Sequence, residues 1–354
     1  MLSHRSDPGN AGEQGEGTTR ERGRFQKTFE KKLRPAIPAG KEGAVKTNGK
    51  SLDDEEAGEN PPSFNPNYPS SLVHVALAAR SHQGSVRGSN EDHYLAVRFG
   101  RSLETLLTNL PEGVLPRSFD ETGYGMLVAD GMGGMAAGDV ASRTALLTLV
   151  ELVVNTPDWF LRLDQPDDMA IVMERMSERF RQIDAALRQQ GQTDSKLFGM
   201  GTTLTVAASL GHRLVISHIG DSRAYLLTGG RLHQLTRDHT MAQDLIDDGV
   251  LEPDDQAAKA MRNVLTAALG SIGEPADADV QRLVVKDDDQ VLLCSDGLTE
   301  MVDDATIAST LRGAPSADAA CRELIDLALA GGGLDNVTVV LARYQFPNLH
   351  AAAK

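Results

Sequence analysis

The sequence predicts an α+β fold. Three observations carry that reading. Apolar runs of strand length follow one another with only short turns between them, which implies antiparallel pairing. Helical stretches arrive in pairs that can cover the outer faces of sheets. Aspartates followed by Gly, Ser or Asn stand at the ends of the apolar runs. The first runs are Leu72 to Ala79, His93 to Phe99 and Tyr124 to Ala129. Between the second and third, residues 100–122 carry Pro111, Pro116 and several charges, the composition of an insertion or a long hairpin loop rather than of core.

Ala136 to Val154 is apolar almost all round and predicts a buried helix. Val172, Met176, Phe180, Ile183 and Leu187 mark one face of an amphipathic helix, and at that spacing they read as core. Short β-like segments follow at Thr203 to Ala208, Leu214 to Ile219, Ala224 to Leu227 and Arg231 to Leu235. Gly229-Gly230 between the last two is a hairpin signal. Asp238 to Leu269 is polar and helical in parts, with a short helix at Met241 to Ile246; lying between two site-bearing regions, it has the place of a movable flap. Val280 to Val285, Gln290 to Cys294 and Val337 to Tyr344 predict further strands, and Asp304 to Leu311 and Ser316 to Ala330 predict helices. Gly331-Gly332-Gly333 stops the last of these.

A chain of 354 residues that is 40% hydrophobic can bury one substantial domain. Residues 1–70 are rich in Gly, Lys, Arg, Glu, Pro and Asn without apolar periodicity, and predict a disordered charged tail. Within that tail, Lys and Arg recur from Arg20 to Lys50, and Asp53, Asp54, Glu55, Glu56 and Glu59 form an acidic block. Residues 71–346 would then form one folded domain and residues 347–354 a short C-terminal tail. Cys294 and Cys321 have no Cys-x-x-Cys spacing and offer neither a disulfide framework nor a zinc site. There is no apolar leader and no run of about 18 apolar residues, so neither secretion nor membrane spanning is expected. A net charge of −15 argues against non-specific nucleic-acid binding. The expected location is the cytoplasm.

The aspartates are the most informative feature. Asp130-Gly131-Met132-Gly133-Gly134, Asp221-Ser222-Arg223 and Asp296-Gly297 each follow an apolar run, and Asp335-Asn336 precedes one. One Asp-Gly alone is an ordinary turn. Several carboxylates at strand ends, with no His or Cys cluster beside them, favour hard divalent ions. They occur in order with Arg87-Gly88-Ser89-Asn90-Glu91-Asp92, Gly201-Thr202-Thr203 and Thr236-Arg237-Asp238-His239-Thr240. This ordered set, over about Ser71 to Tyr344, resembles the metal-dependent protein phosphatases of type 2C, particularly the bacterial serine/threonine phosphatases.

The resemblance implies two antiparallel sheets packed on each other, flanked by helix pairs, with two Mn²⁺ or Mg²⁺ ions at one end and a weaker third. Asp130 would bridge the two metals, the Gly131 carbonyl would bind one of them, and Asp296 and Asp335 would complete the second. Glu91 would act through metal-bound water and Asp92 would orient that shell. Arg87 would grip the substrate phosphate with its planar fork of donors. Asp221, with the Asp296 position and Glu300, would hold the third ion, or else stabilise the turn before Ser222. Two metals about 3.5–4 Å apart share an acidic water or hydroxide and stabilise in-line displacement at phosphorus. The implied activity is hydrolysis of phosphoserine and phosphothreonine in proteins, reversing kinase signalling; the partners are phosphorylated proteins, a serine/threonine kinase or its targets.

Gly133 and Gly134 read as a tight backbone turn after the ligand loop. Thr202, Thr203 and His239 read as structural. Relatives that carry histidine after the metal-site Asp-Gly use it as a general acid; Met132 stands there in this chain, as in many bacterial relatives, and cannot donate that proton. Two other functions share these residues. A regulatory binding protein would keep the fold without turnover, although Asp130, Asp296 and Asp335 are all present. An enzyme for small phosphate esters would differ in the flap and in residues 100–122. Phosphate-loop, zinc-protease and nucleophile-elbow motifs are absent from the sequence.

Overall fold

Alternation of side chains along the central strands builds the architecture. On strand β3 (Ser118–Met132), Met126 and Val128 point into one apolar cluster and Leu127 and Ala129 into another. On β10 (Gln290–Cys294), Val291 and Leu293 face inward while Leu292 and Cys294 face out, and β11 (Val337–Gln345) alternates in the same way. Strands buried on both faces read as continuous apolar runs, because each face has its own layer to pack against. These features come from a computed structural model, which describes residues 73–111, 114–115, 117–133, 137–155, 166–273 and 277–346. The predicted tails at residues 1–70 and 347–354, and Gly134, lie outside the described residues.

One antiparallel sheet has the order β1-β11-β10-β7-β8, with β1 at His74–His82, β7 at Arg223–Thr228 and β8 at Arg231–Gln234. The other runs β2-β3-β5-β6-β9, with β2 at Asp92–Glu104, β5 at Leu204–Leu210, β6 at Arg213–Ile219 and β9 at Asp279–Val284; the short β4, Gly201–Thr202, pairs with the end of β3. Between the sheets lie Val75, Met126, Val128, Leu214, Ile216, Leu226, Val291, Leu293, Val340 and Tyr344. Helices α1 (Ala137–Val154) and α2 (Pro166–Thr193) cover the outer face of the second sheet. Two short helices, α3 (Met241–Asp247) and α4 (Gln256–Met261), and the single turn α5 (Asp296–Thr299) come next. Helices α6 (Asp304–Gly313) and α7 (Ala317–Ala330) cover the outer face of the first sheet. The predicted α+β sandwich is therefore the observed one.

The expected face of α2 is buried: Phe180, Ile183 and Leu187 are inaccessible to solvent. Helix α1 departs from its expectation as an all-round buried helix. Ala137, Ala141, Ala145 and Leu149 face the sheet, whereas Leu147 is 64% and Val154 72% exposed. An outer-layer helix has one neighbouring layer, so the apolar residues on its far side stay in water however hydrophobic the segment is. Ser316 and Asp303 cap α7 and α6 by accepting from Ala319 N and Thr306 N, which fixes where the helices begin. Gly229 and Gly230 both have positive φ, as a two-residue hairpin turn requires.

Residues 100–122 form the end of a long hairpin. The β2–β3 ladder continues from Asp92 opposite Asp130 to Glu104 opposite Ser118, while β3 meets β5 only from Gly123 onward. The outer part is thus a two-stranded arm. Leu106 is 78% and Leu107 96% exposed at its tip. The double substitution Leu106→Ser with Leu107→Ser is expected to change unfolding free energy by less than about 0.5 kcal/mol, as for surface positions away from packing. Urea denaturation measures this, and a loss above about 1 kcal/mol would mean that these leucines pack in the folded state.

Candidate metal centre

The ends of seven strands converge at one end of the sandwich. In the β2–β3 ladder Asp92 is directly opposite Asp130. Asp296 follows β10 as the first residue of α5, and Asp335 precedes β11, which pairs with β10. Asp221 lies in the turn joining β6 and β7. The loop from β1 to β2 brings Arg87 and Glu91 to the same place. Arg87, Glu91, Asp130, Gly131, Asp221, Asp296 and Asp335 all line one cleft of about 600 Å³, beside Met132 and Gly133. Asp92 is not on its wall; it is 5% exposed and sits behind Asp130.

The backbone here is tied across long sequence distances. Thr203 Oγ1 accepts from Asp130 N at 2.9 Å, and Thr202 Oγ1 donates to Asp130 O at 2.8 Å, so both threonines hold the ligand strand in place. Ser295 Oγ donates to Asp92 Oδ2 at 2.7 Å and accepts from Thr338 N at 3.0 Å. Asn336 clamps two loops together: its Oδ1 accepts from Glu91 N, and its Nδ2 donates to Gln83 O and Ser89 O, each at 2.8 Å. A Cβ on Gly131 would strike the carbonyl of Gly138 in α1, and a Cβ on Gly138 would strike the Glu91 carboxylate. The helix start and the two loops can meet only because both residues lack one.

The Asp221 turn is set by the two motifs that flank it. Arg223 grips Asp238 with Nε at 2.9 Å from Oδ1 and Nη2 at 2.6 Å from Oδ2. His239 Nδ1 accepts from Gly220 N at 3.1 Å, and His239 N donates to Gly220 O at 2.7 Å. His239 has a structural role, as its sequence context indicates, and its ring lies 5.0 Å from that of His218. Burial, then the neighbouring His239, pushes the His218 imidazole down to about 4.

Carboxylates brought this close out of water raise one another. Burial and then Asp92 hold Asp130 well above the usual carboxylate range; burial and then Asp221 do the same for Asp296. Burial lifts Asp92 to about 6, opposed by hydrogen bonds from Ser295 and Thr338, and burial and then Asp238 lift Asp221 to about 7. Asp92 Oδ1 and Asp296 Oδ1 are buried without a hydrogen-bond partner. Unpartnered buried carboxylate oxygens are costly unless a cation neutralises them. Among the described residues, no His or Cys lines the cleft, so the donor set is all oxygen and suits Mg²⁺ or Mn²⁺. No three carboxylate, imidazole or thiolate groups among the described residues form a closed cage for one ion. Asp130, Asp221, Asp296 and Asp335 share one wall, a donor set that suits ions keeping several waters rather than ions fully enclosed by side chains.

The eight predicted site residues therefore gather at one end of the fold, seven on the cleft wall and Asp92 behind it. Sequence reasoning gave no role to Asn336, Gly138 or Ser295, nor to Asn263 and Leu265, which the predicted flap contributes to the wall. Asn336 and Ser295 were within reach, since they sit in the Asp-Asn and Ser-Asp-Gly motifs. The others had no local signal. Gly133, predicted to turn the backbone, has φ +130. Both cysteines are buried and free, as expected, and burial pushes each thiol up to about 12.

Comparison with known proteins agrees with this geometry. The family profile described as Protein phosphatase 2C matches residues 118–323. The chain is 37% identical over 268 residues to the serine/threonine protein phosphatase PstP of Mycobacterium tuberculosis, an alignment that covers 76% of this chain and 45% of that protein. It thus spans about half the length of that relative. It is 36% identical over 217 residues to the protein phosphatase PhpP of Streptococcus pneumoniae, covering 61% of this chain and 84% of PhpP. Among solved structures, that of the M. tuberculosis serine/threonine phosphatase PstP/Ppp superposes with a TM-score of 0.61 at 35% identity, over 77% of this chain and 99% of that one. The PstP catalytic domain in complex with two manganese ions gives 0.60 at 34% identity, with 77% and 99% covered. The ordered motifs, the two-sheet sandwich and the carboxylate cleft have one common explanation: the chain belongs to the protein phosphatase 2C family.

Proposed function

We propose that this chain is a Mn²⁺- or Mg²⁺-dependent phosphatase that hydrolyses phosphoserine and phosphothreonine in proteins. The observation that carries the reading is the cleft itself, where Asp130, Asp221, Asp296 and Asp335 face one space and the buried Asp296 Oδ1 lacks a partner. Asp130, Asp296, Asp335 and the Gly131 carbonyl would hold two cations, and Asp221 a weaker third. Bound there, the cations supply an acidified water as nucleophile and neutralise the phosphoryl oxygens.

The chain's own groups then orient the reaction. Arg87, 57% exposed at the cleft mouth, offers a forked donor to the phosphate. Glu91 is fixed by its backbone between Asn336 and Gly131, which leaves its carboxylate to accept from water in the cleft. Asp92 stiffens the floor through Ser295. Met132 has no proton to give to the leaving oxygen. Among the described residues no helix is long and apolar enough to cross a membrane. We place the protein in the cytoplasm, acting against a serine/threonine kinase or its targets, with residues 71–346 as the catalytic domain and both tails outside it.

The test is phosphate release from a phosphothreonine peptide by the purified protein, with and without Mn²⁺, beside Asp296→Asn. Metal-dependent turnover that the variant lacks is expected. A folded wild-type sample that binds Mn²⁺ yet releases no phosphate would overturn the assignment. Counting bound Mn²⁺ in the same sample addresses Asp221: a saturating count of two, unchanged in Asp221→Ala, would leave that residue a turn stabiliser.

A further inference from the structure

Both oxygens of Asp335 already have protein partners. Its Oδ1 accepts from Asn336 N at 2.7 Å, and its Oδ2 accepts from Arg87 Nη2 at 2.5 Å, across 248 residues of sequence. Asp296 Oδ1, by contrast, is buried with none. A cation approaching Asp335 Oδ2 therefore meets a guanidinium on the same atom. The backbone under Arg87 is pinned, because Gln83 Nε2 donates to Arg87 O at 2.6 Å and Asn336 Nδ2 holds both Gln83 O and Ser89 O. The Arg87 side chain is 57% exposed, whereas that of Asp335 is 21% exposed. The guanidinium can leave while the loop stays.

We propose that Arg87 is an exchangeable counter-ion: it and a divalent cation compete for Asp335 Oδ2, and cation entry releases the guanidinium toward the cleft mouth, where a phosphate group becomes its partner. The proposal rests on the reading of Asp335 as a metal-binding side chain, but not on turnover. It makes cation and phosphate binding mutually reinforcing, since each removes the partner that would otherwise hold Arg87 or be blocked by it, and such coupling is reciprocal. The ion pair covers a carboxylate whose negative charge acts on both Asp130 and Asp296.

Two measurements on the full chain test this. Calorimetric titration with Mn²⁺ at low salt should show Arg87→Gln binding the cation about two- to fivefold more tightly than wild type, the factor expected for removing a half-exposed ion-pair competitor. In ¹⁵N spectra, the Arg87 Nε–H signal, identified by its loss in Arg87→Gln, should shift as diamagnetic Mg²⁺ is added. Asp335→Asn should move that signal in the same direction without Mg²⁺. Unchanged or weaker Mn²⁺ affinity in Arg87→Gln would overturn the proposal, as would an Arg87 signal that ignores saturating Mg²⁺. A wild-type protein that binds no Mn²⁺ would overturn the metal reading of Asp335 and the proposal with it. Metal-responsive Arg87 in a protein that hydrolyses no phosphopeptide would sink the phosphatase assignment alone.

Discussion

Asp130→Asn is expected to abolish metal-dependent turnover and, in the presence of a chelator at pH 8, to raise the melting temperature. The two effects come from the same atoms. Asp130 stands in the β2–β3 ladder beside Asp92, half-buried on the cleft wall and facing Asp296, Asp221 and Asp335, so its charge is opposed by loss of water first and by four carboxylates after that. Asparagine keeps the shape and removes the charge. Without cations the variant escapes repulsion that wild type must bear, and for a domain of this size each kcal/mol relieved raises the midpoint by about 2–4 °C. With Mn²⁺ present the order reverses, because wild type gains binding energy that the variant has lost. Turnover should fall at least ~100-fold, the scale on which even groups that merely support a metal ligand matter. Thermal scans of both proteins in chelator and in excess Mn²⁺ check the first claim, and phosphate release checks the second. Parallel curves, with the same Mn²⁺ increment in wild type and variant, would remove Asp130 from the cation site.

The second large effect is a dependence on pH. Asp221 and Asp92 are lifted to about 7 and about 6 from the ordinary aspartate value of 3.8, in both cases mainly by burial. A carboxylate whose folded value is raised gives up its proton in the unfolded chain first. Between about pH 4 and the folded value the unfolded state binds fewer protons, so stability falls as pH rises and the full penalty is present above the folded value. His218 works in the opposite sense: held near 4, it adds stability as pH rises from about 4 to 6.5. Above pH 6.5 that contribution is constant, and the carboxylates alone set the slope. In chelator the melting temperature should therefore fall from pH 6.5 to 8. Cations compete with protons for the same oxygens, so the increment added by saturating Mn²⁺ should widen over the same interval. Calorimetry with and without Mn²⁺ measures both curves, and a pH-independent gap between them would show that these carboxylates do not bind the ion.

Repulsion of this kind is what a functional site stores when its ligands must stand ready for a cation. Ser295, Thr338, Thr202 and Thr203 hold the aspartates against it through hydrogen bonds to side chain or backbone. Among the described residues, Arg87 supplies the one positive group directly on a cleft carboxylate, Asp335. The cleft thus carries one internal cation against several acidic groups, which is why binding of divalent ions and position of Arg87 are expected to depend on each other.

What the sequence determined by itself was local. Strand-length apolar runs located β5, β6, β7, β10 and β11 to within a few residues and the central part of β3, and helical spacing gave the buried face of α2. Asp130, Asp221, Asp296 and Asp335 each announced themselves by a Gly, Ser or Asn beside them at a strand end, and Asp92 by the motif Arg87 to Asp92. These signals survive because alternation and helical period depend on neighbours two to four residues away. The tertiary structure decided everything that needed two distant segments at once: Asp92 opposite Asp130, Arg87 on Asp335, Asn336 across the β1–β2 loop, and Gly138 giving way to Glu91. It also decided that α1 presents Leu147 to water despite its apolar sequence. The exposure of a face depends on whether another layer covers it, and the pairing of charges far apart in sequence depends on which strand ends meet; neither is encoded in any window of contiguous residues.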